Sequence, residues 1–158
     1  MSSRSITVSS ATTASPTRVW DVLTDVAHAA DTLSRVDRVE MLTTSPYGVG
    51  TRWLETRLIF GKETTEELHV TVCDAPHRTV VELESGGFRY TTAFTVAAEG
   101  SGTVLQMEFT GDVASHRVAH RLFWALFGSL AVHTVAKEMR VDLADIVSTA
   151  TAAATATG

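Results

Sequence analysis

From Asp37 to Ala114 the chain alternates apolar and polar residues with a period of two, and turn residues break that alternation five times. The runs are "DRVEMLTT", "TRWLETRLIF", "ETTEELHVTVCD", "RTVVELES", "GFRYTTAFTVAA" and "TVLQMEFTGDVA". The breaks are "SPYGVG", "GK", "APH", Gly86–Gly87 and "EGSG". Short half-buried strands joined by tight turns define an antiparallel meander. A sheet of this kind has one apolar face that must be covered.

The flanking segments supply the cover. "SITVSSATTAS" reads as a first strand, rich in β-branched residues. "SPTRVWDVLTDVAH" follows as a helix, with Ser15 at the N-cap and Pro16 at the first helical position. "AADTLSRV" reads as a second short helix. From about Ser115 to Thr149 the apolar period returns to 3.6, which predicts one long helix. The fold class is therefore α+β: about seven antiparallel strands against a long C-terminal helix, with two short helices between strands one and two. Residues 1–149 form a single domain in this reading, and the low-complexity tail 150–158 is expected to be disordered.

Composition excludes several classes of function. There are 13 basic and 18 acidic residues, a formal charge of −5, and no basic stripe, so nucleic acid is not an expected partner. Cys73 is the sole cysteine, and "MSSRSITVSS" lacks the apolar centre of a secretory leader; a cytoplasmic location is expected. The longest apolar run, Leu122–Val132, has eleven residues, whereas a membrane span needs about twenty.

Strand parity selects the inward residues. It points Phe88, Tyr90, Thr92, Phe94 and Val96 inward, with Leu105, Met107 and Phe109, with Leu68, Val70 and Val72, and with Val81 and Leu83. The run 51–60 offers two parities, Leu54, Thr56 and Leu58 against Trp53, Glu55 and Arg57; Leu54 and Leu58 are the inward choice. The long helix carries an apolar stripe of Val132, Val135, Ala136, Met139, Leu143, Ile146 and Val147, with Lys137, Glu138, Asp142 and Asp145 opposite. Continued backwards, the stripe meets Ser129, Ala125 and Leu122, with Leu126 alongside; its mostly small residues leave room over the sheet. Phe123, Phe127 and Leu130 turn to the far side. Covering loops, a kink at Gly128 or a homodimer contact are the alternatives for that face.

Several local motifs, in this order, carry a family resemblance. They are "SPTRVWDVLTDVAHAADTLSRV", "VEMLTTSPYGVGTRW", "DAPHRTVVELESGG" and "GSGTVLQMEFTG". Over residues 4–148 the chain resembles the START-like (SRPBCC) superfamily, and within it the polyketide cyclase/dehydrase-like ligand-binding group. The matching positions are Val19–Trp20, Gly48–Thr51, Asp74–Pro76 and Gly102–Thr103. One departure is Thr32, where relatives often carry a Trp. The resemblance implies a helix-grip fold with a cavity between sheet and long helix that takes an apolar or amphipathic small molecule. It does not imply a reaction.

Residues with chemical potential are few. His116 and His120 have an i, i+4 spacing but lack the Glu of a zinc-protease helix, so no metal and no cofactor are expected. His133 lies at the edge of the helix stripe. Glu55, Arg57, Glu63 and Glu67 fit a solvated strand face with cross-strand ion pairs. Glu66 differs, because it shares parity with inward Leu68. Glu66, His133 and Tyr90 are thus the candidate acid–base groups. Leu54, Leu58, Leu68, Val70, Val81, Leu83, Tyr90, Thr92, Phe94, Met107, Phe109, Leu122, Ala125, Leu126 and Ser129 are the candidate ligand contacts.

Three functions remain open. The first is binding of a lipid, polyketide or isoprenoid-like molecule. The second is a cyclase or dehydratase acting on a poly-keto or aromatic substrate. The third is a protein-interaction module using the Phe123/Phe127 face.

Overall fold

The structure is a computed structural model that describes residues 4–59, 61–113 and 129–155, with the side chains of the last helix described over 131–152. The expectations for Leu122, Phe123, Ala125, Leu126, Phe127, His116 and His120 fall outside the described residues, as do those for the side chains of Ser129 and Leu130.

Strand β1 (Arg4–Thr12) leads into helix α1 (Pro16–Thr24), a 3-10 turn (Val26–His28) and helix α2 (Ala29–Thr32). Strands β2 (Val36–Met41), β3 (Arg52–Ile59), β4 (Lys62–Asp74), β5 (Arg78–Ser85), β6 (Phe88–Glu99) and β7 (Gly102–Val113) follow. Helix α3 (Ser129–Thr155) ends the described chain. All seven strands form one antiparallel sheet, ordered β1-β7-β6-β5-β4-β3-β2.

Local sequence explains the junctions. The Ser15 hydroxyl accepts from Arg18 N–H at 3.3 Å, and Pro16 opens α1 without an unsatisfied donor. At the entry to β3, Gly50 takes φ +93°, a conformation that a β-carbon disfavours. Beside it, the buried Thr51 hydroxyl accepts from Gly48 N–H at 3.0 Å. At the start of β7, the Thr103 hydroxyl donates to the Ala14 carbonyl at 2.7 Å and is buried. Gly102 lies so close to β1 that an added β-carbon would collide with the Thr12 carbonyl.

The main core joins β1, β6, β7, α1 and α3 through Val8, Val19, Val96, Leu105, Met139, Leu143 and Ile146. A second cluster joins Val26 of the 3-10 turn to Trp53, Val70 and Val81 on β3, β4 and β5. Two expectations change here. Val72 is 38 % exposed rather than inward, because the β4–β5 register shifts between Val70 and Val72 and flips the alternation. Residues 150–155, expected in a disordered tail, continue α3: Ala150 is 0 % exposed and Thr151 Oγ1 lies 2.9 Å from Thr12 Oγ1. Small side chains there let the helix approach β1 closely.

Candidate functional site

A cavity of about 630 Å³ opens between the inner face of the sheet and the helices α1, α2 and α3. Directly paired strand residues share a face, so the ladder fixes its wall. Leu83 pairs Tyr90, Val81 pairs Thr92, Thr92 pairs Phe109 and Phe94 pairs Met107. These residues, with Leu68, line the cavity, and Tyr90 stacks on Phe109 with ring centroids 5.6 Å apart. Helix α3 contributes Val135, Met139 and Ile146, and α1 contributes Val22 and Leu23. Thr32 is also in the wall.

Strand β3 presents the opposite parity from the one expected. Trp53 pairs Leu68 and Glu55 pairs Glu66 across the β3–β4 hairpin, so Trp53, Glu55 and Arg57 face the cavity. Leu54 is not in the wall, and Leu58 is a rim residue, 57 % exposed. Val70 is buried in the second core cluster rather than lining the space. His133 is exposed and does not line the cavity.

The charged face of β3 enters the protein because its partners are there. Arg57 Nε donates to Glu55 Oε1 at 2.6 Å, and Arg57 Nη1 lies 3.0 Å from Asp142 Oδ2. Trp53 Nε1 donates to Glu55 Oε2 at 3.1 Å. Glu55 and Asp142 are 8 % and 6 % exposed, which makes this a buried ionic network. Burial pushes the Asp142 carboxyl up to about 6, against the opposing pull of Arg57. Burial alone would lower the Arg57 pKa, but the charges of Asp142 and Glu55 outweigh it and raise it. Part of the polar side of α3 is docked on the body of the protein: Asp142 is buried, Glu138 pairs Arg35 at 2.9 Å, and Asp145 accepts from Ser34 N–H and Oγ–H at 2.8 Å each, while Lys137 stays exposed. By contrast Glu67 pairs Arg52, and Glu63 pairs Arg38, on the exposed face.

Further polar groups lie in the wall, Glu66, Tyr90 and Tyr47 among them. Glu66 Oε1 accepts from Ser85 Oγ–H at 2.8 Å. Burial, and then the nearby charge of Glu66, raise the Tyr90 pKa, so its phenol stays protonated at neutral pH. Tyr47, from the turn before β3, donates to or accepts from Thr79 Oγ1 at 2.6 Å, and burial pushes its phenol up to about 12. Among the described residues no group of His, Cys, Asp and Glu could hold a metal ion, and no helix is long and apolar enough to cross a membrane.

This architecture, a curved seven-stranded antiparallel sheet wrapped on a long C-terminal helix, is the helix-grip fold. The chain belongs to the family described as "Polyketide cyclase / dehydrase and lipid transport", whose model matches residues 3–151. No curated protein matches it. Solved structures with the same fold include TTHA0849 from Thermus thermophilus, at 20% identity and TM-score 0.76, over 95% of this chain and 99% of that one. Another is the Zhui aromatase/cyclase from a Streptomyces species, at 16% identity and TM-score 0.75, over 94% of each chain. Ara h 8.0201 is similar at 10% identity and TM-score 0.70, over 94% of this chain and 98% of that one.

Proposed function

We propose that this chain binds a hydrophobic or amphipathic small molecule, of lipid, polyketide or isoprenoid-like type, in the cavity between its sheet and α3. The observation that carries this reading is the cavity itself. Its volume of about 630 Å³ falls within the range of about 300–1,000 Å³ that suits drug-sized ligands. Its wall is mostly apolar, with polar groups gathered at Glu55–Arg57–Asp142 and at Glu66–Tyr90 to orient a ligand. Native mass spectrometry of the purified chain, followed by denaturing extraction, tests it. A retained apolar compound is the expected result. An empty protein whose melting temperature is unmoved by a panel of lipids and polyketides sinks the proposal.

A second reading is a cyclase or dehydratase, and the Glu66–Tyr90 arrangement favours it. A Glu66 carboxylate accepts a proton from a carbon flanked by two carbonyls, while the Tyr90 phenol hydrogen-bonds the enolate oxygen that develops. The family description and the shared fold with the Zhui aromatase/cyclase support this reading. Incubation with a poly-β-keto thioester separates the two. Turnover that falls at least tenfold in both Glu66→Gln and Tyr90→Phe, with binding retained, supports an enzyme. Binding without any turnover leaves the carrier.

A further inference from the structure

The charge carried by the cavity wall selects among amphipathic ligands. Among the described lining residues there are five carboxylates, on Asp25, Glu55, Glu66, Glu138 and Asp142, and two guanidiniums, on Arg35 and Arg57. Both guanidiniums are ion-paired, Arg35 by proximity to Glu138 without an aligned hydrogen bond from its Nε. Arg35 Nε is 2.9 Å from Glu138, and Arg57 is shared between Glu55 and Asp142. Asp25 sits at the exposed rim beside His28. Among the described lining residues one negative charge remains in the Arg57 network and another on Glu66, whose orientation the Ser85 hydroxyl fixes. A ligand carboxylate or phosphate entering here meets fields of its own sign, in a site where burial weakens screening. A cation meets complementary ones.

We infer that the ligand is an apolar molecule bearing a protonated amine, seated with its ammonium toward Glu66 and its apolar body along Leu83, Phe94 and Phe109. This rests on the reading of the cavity as a ligand site, and deepens it by naming the headgroup.

The experiment compares three probes of one chain length, dodecylammonium, dodecan-1-ol and dodecanoate, below micelle formation at about pH 7.5. Each is titrated into the full chain by calorimetry. Dodecylammonium is expected to bind at least about tenfold more tightly than dodecanoate. Glu66→Gln keeps the Ser85 hydrogen bond and removes the charge. It should cut the preference for the amine over the alcohol by roughly fivefold or more, chiefly through weaker binding of the amine. Dodecanoate binding as tightly as the amine overturns the inference and leaves the apolar cavity standing. An amine preference that survives in Glu66→Gln overturns the assignment to Glu66. Binding by none of the three overturns the cavity reading itself.

Discussion

Arg57 on β3 and Asp142 on α3 meet 3.0 Å apart, and their contact ties the C-terminal helix to the strand that walls the cavity. The tie is reinforced one turn to either side, by Arg35–Glu138 and Ser34–Asp145. Since Glu55 and Asp142 are both buried, Arg57 is the counter-ion that makes their ionisation tolerable.

Removing that counter-ion should be severe. Arg57→Met leaves two buried carboxylates unpaired, and breaking a buried pair in this way costs about 3–5 kcal/mol. Urea unfolding at neutral pH measures the loss. The triple variant Glu55→Gln, Arg57→Met, Asp142→Asn removes all three charges together and should be distinctly less destabilised than Arg57→Met alone. Equal losses in both would show that charge is not the cause.

Acid should favour the fold through Asp142. Its carboxyl titrates near 6 in the folded protein against an ordinary value of 3.8. The folded state therefore holds the extra proton in the window between them. The stabilisation is fully present below about pH 4 and is lost as pH rises through about 6, a span equivalent to about 3 kcal/mol. The stability difference between the wild type and Asp142→Asn should follow that course in urea melts from about pH 4 to about pH 7.5. A difference flat across the range would refute the assignment.

Core and cavity-wall aromatics should behave differently. Phe88 is 2 % exposed, so Phe88→Ala leaves a hole in packed surroundings and should cost about 3–5 kcal/mol. Phe109 already faces open space on the cavity side. Phe109→Ala should cost roughly half as much and should weaken the binding of an apolar probe. Thermal melts and probe titration together read both effects, and equal stability losses would argue against a real cavity beside Phe109.

The approach of β7 to β1 should tolerate no side chain at its start. Gly102→Ala drives a β-carbon into the Thr12 carbonyl, and overpacking of this kind costs about 1–3 kcal/mol. Loss of hydrogen-exchange protection should concentrate in β1 and in the pairing Thr12↔Thr103. A variant as stable as wild type would show that the two strands can move apart there without cost.

Much of this architecture can be read from the chain, because strand parity is a local property. Alternation alone orients Leu68, Leu83, Tyr90, Thr92 and Phe94, and all of them line the cavity. Strand β3 fails for a reason that is also legible. Hydropathy favours Leu54 and Leu58, yet any two-residue turn between β3 and β4 pairs odd-numbered residues with even-numbered ones. Inward Leu68 therefore requires inward Trp53, and with it Glu55 and Arg57. What single-strand pattern could not reveal is why two charges accept that position, since Asp142 lies 85 residues from Arg57 along the chain. The end of α3 misleads in the opposite way. A run of Ala and Thr lacks bulk, and the same lack of bulk lets Ala150 pack without exposure.

The placement of β1 also governs how the molecule must assemble during synthesis. Strands β2 to β7 each pair with a sequence neighbour, whereas Arg4 pairs with Gly111 and Thr12 meets Thr151 across 139 residues. Contacts of such separation are slow to form, because a long loop must close before they return any energy. A nascent chain still on the ribosome therefore holds β1 with no strand beside it until β7 has emerged. The cavity is correspondingly a late product of folding, completed only when α3 lies down over the joined first and last strands.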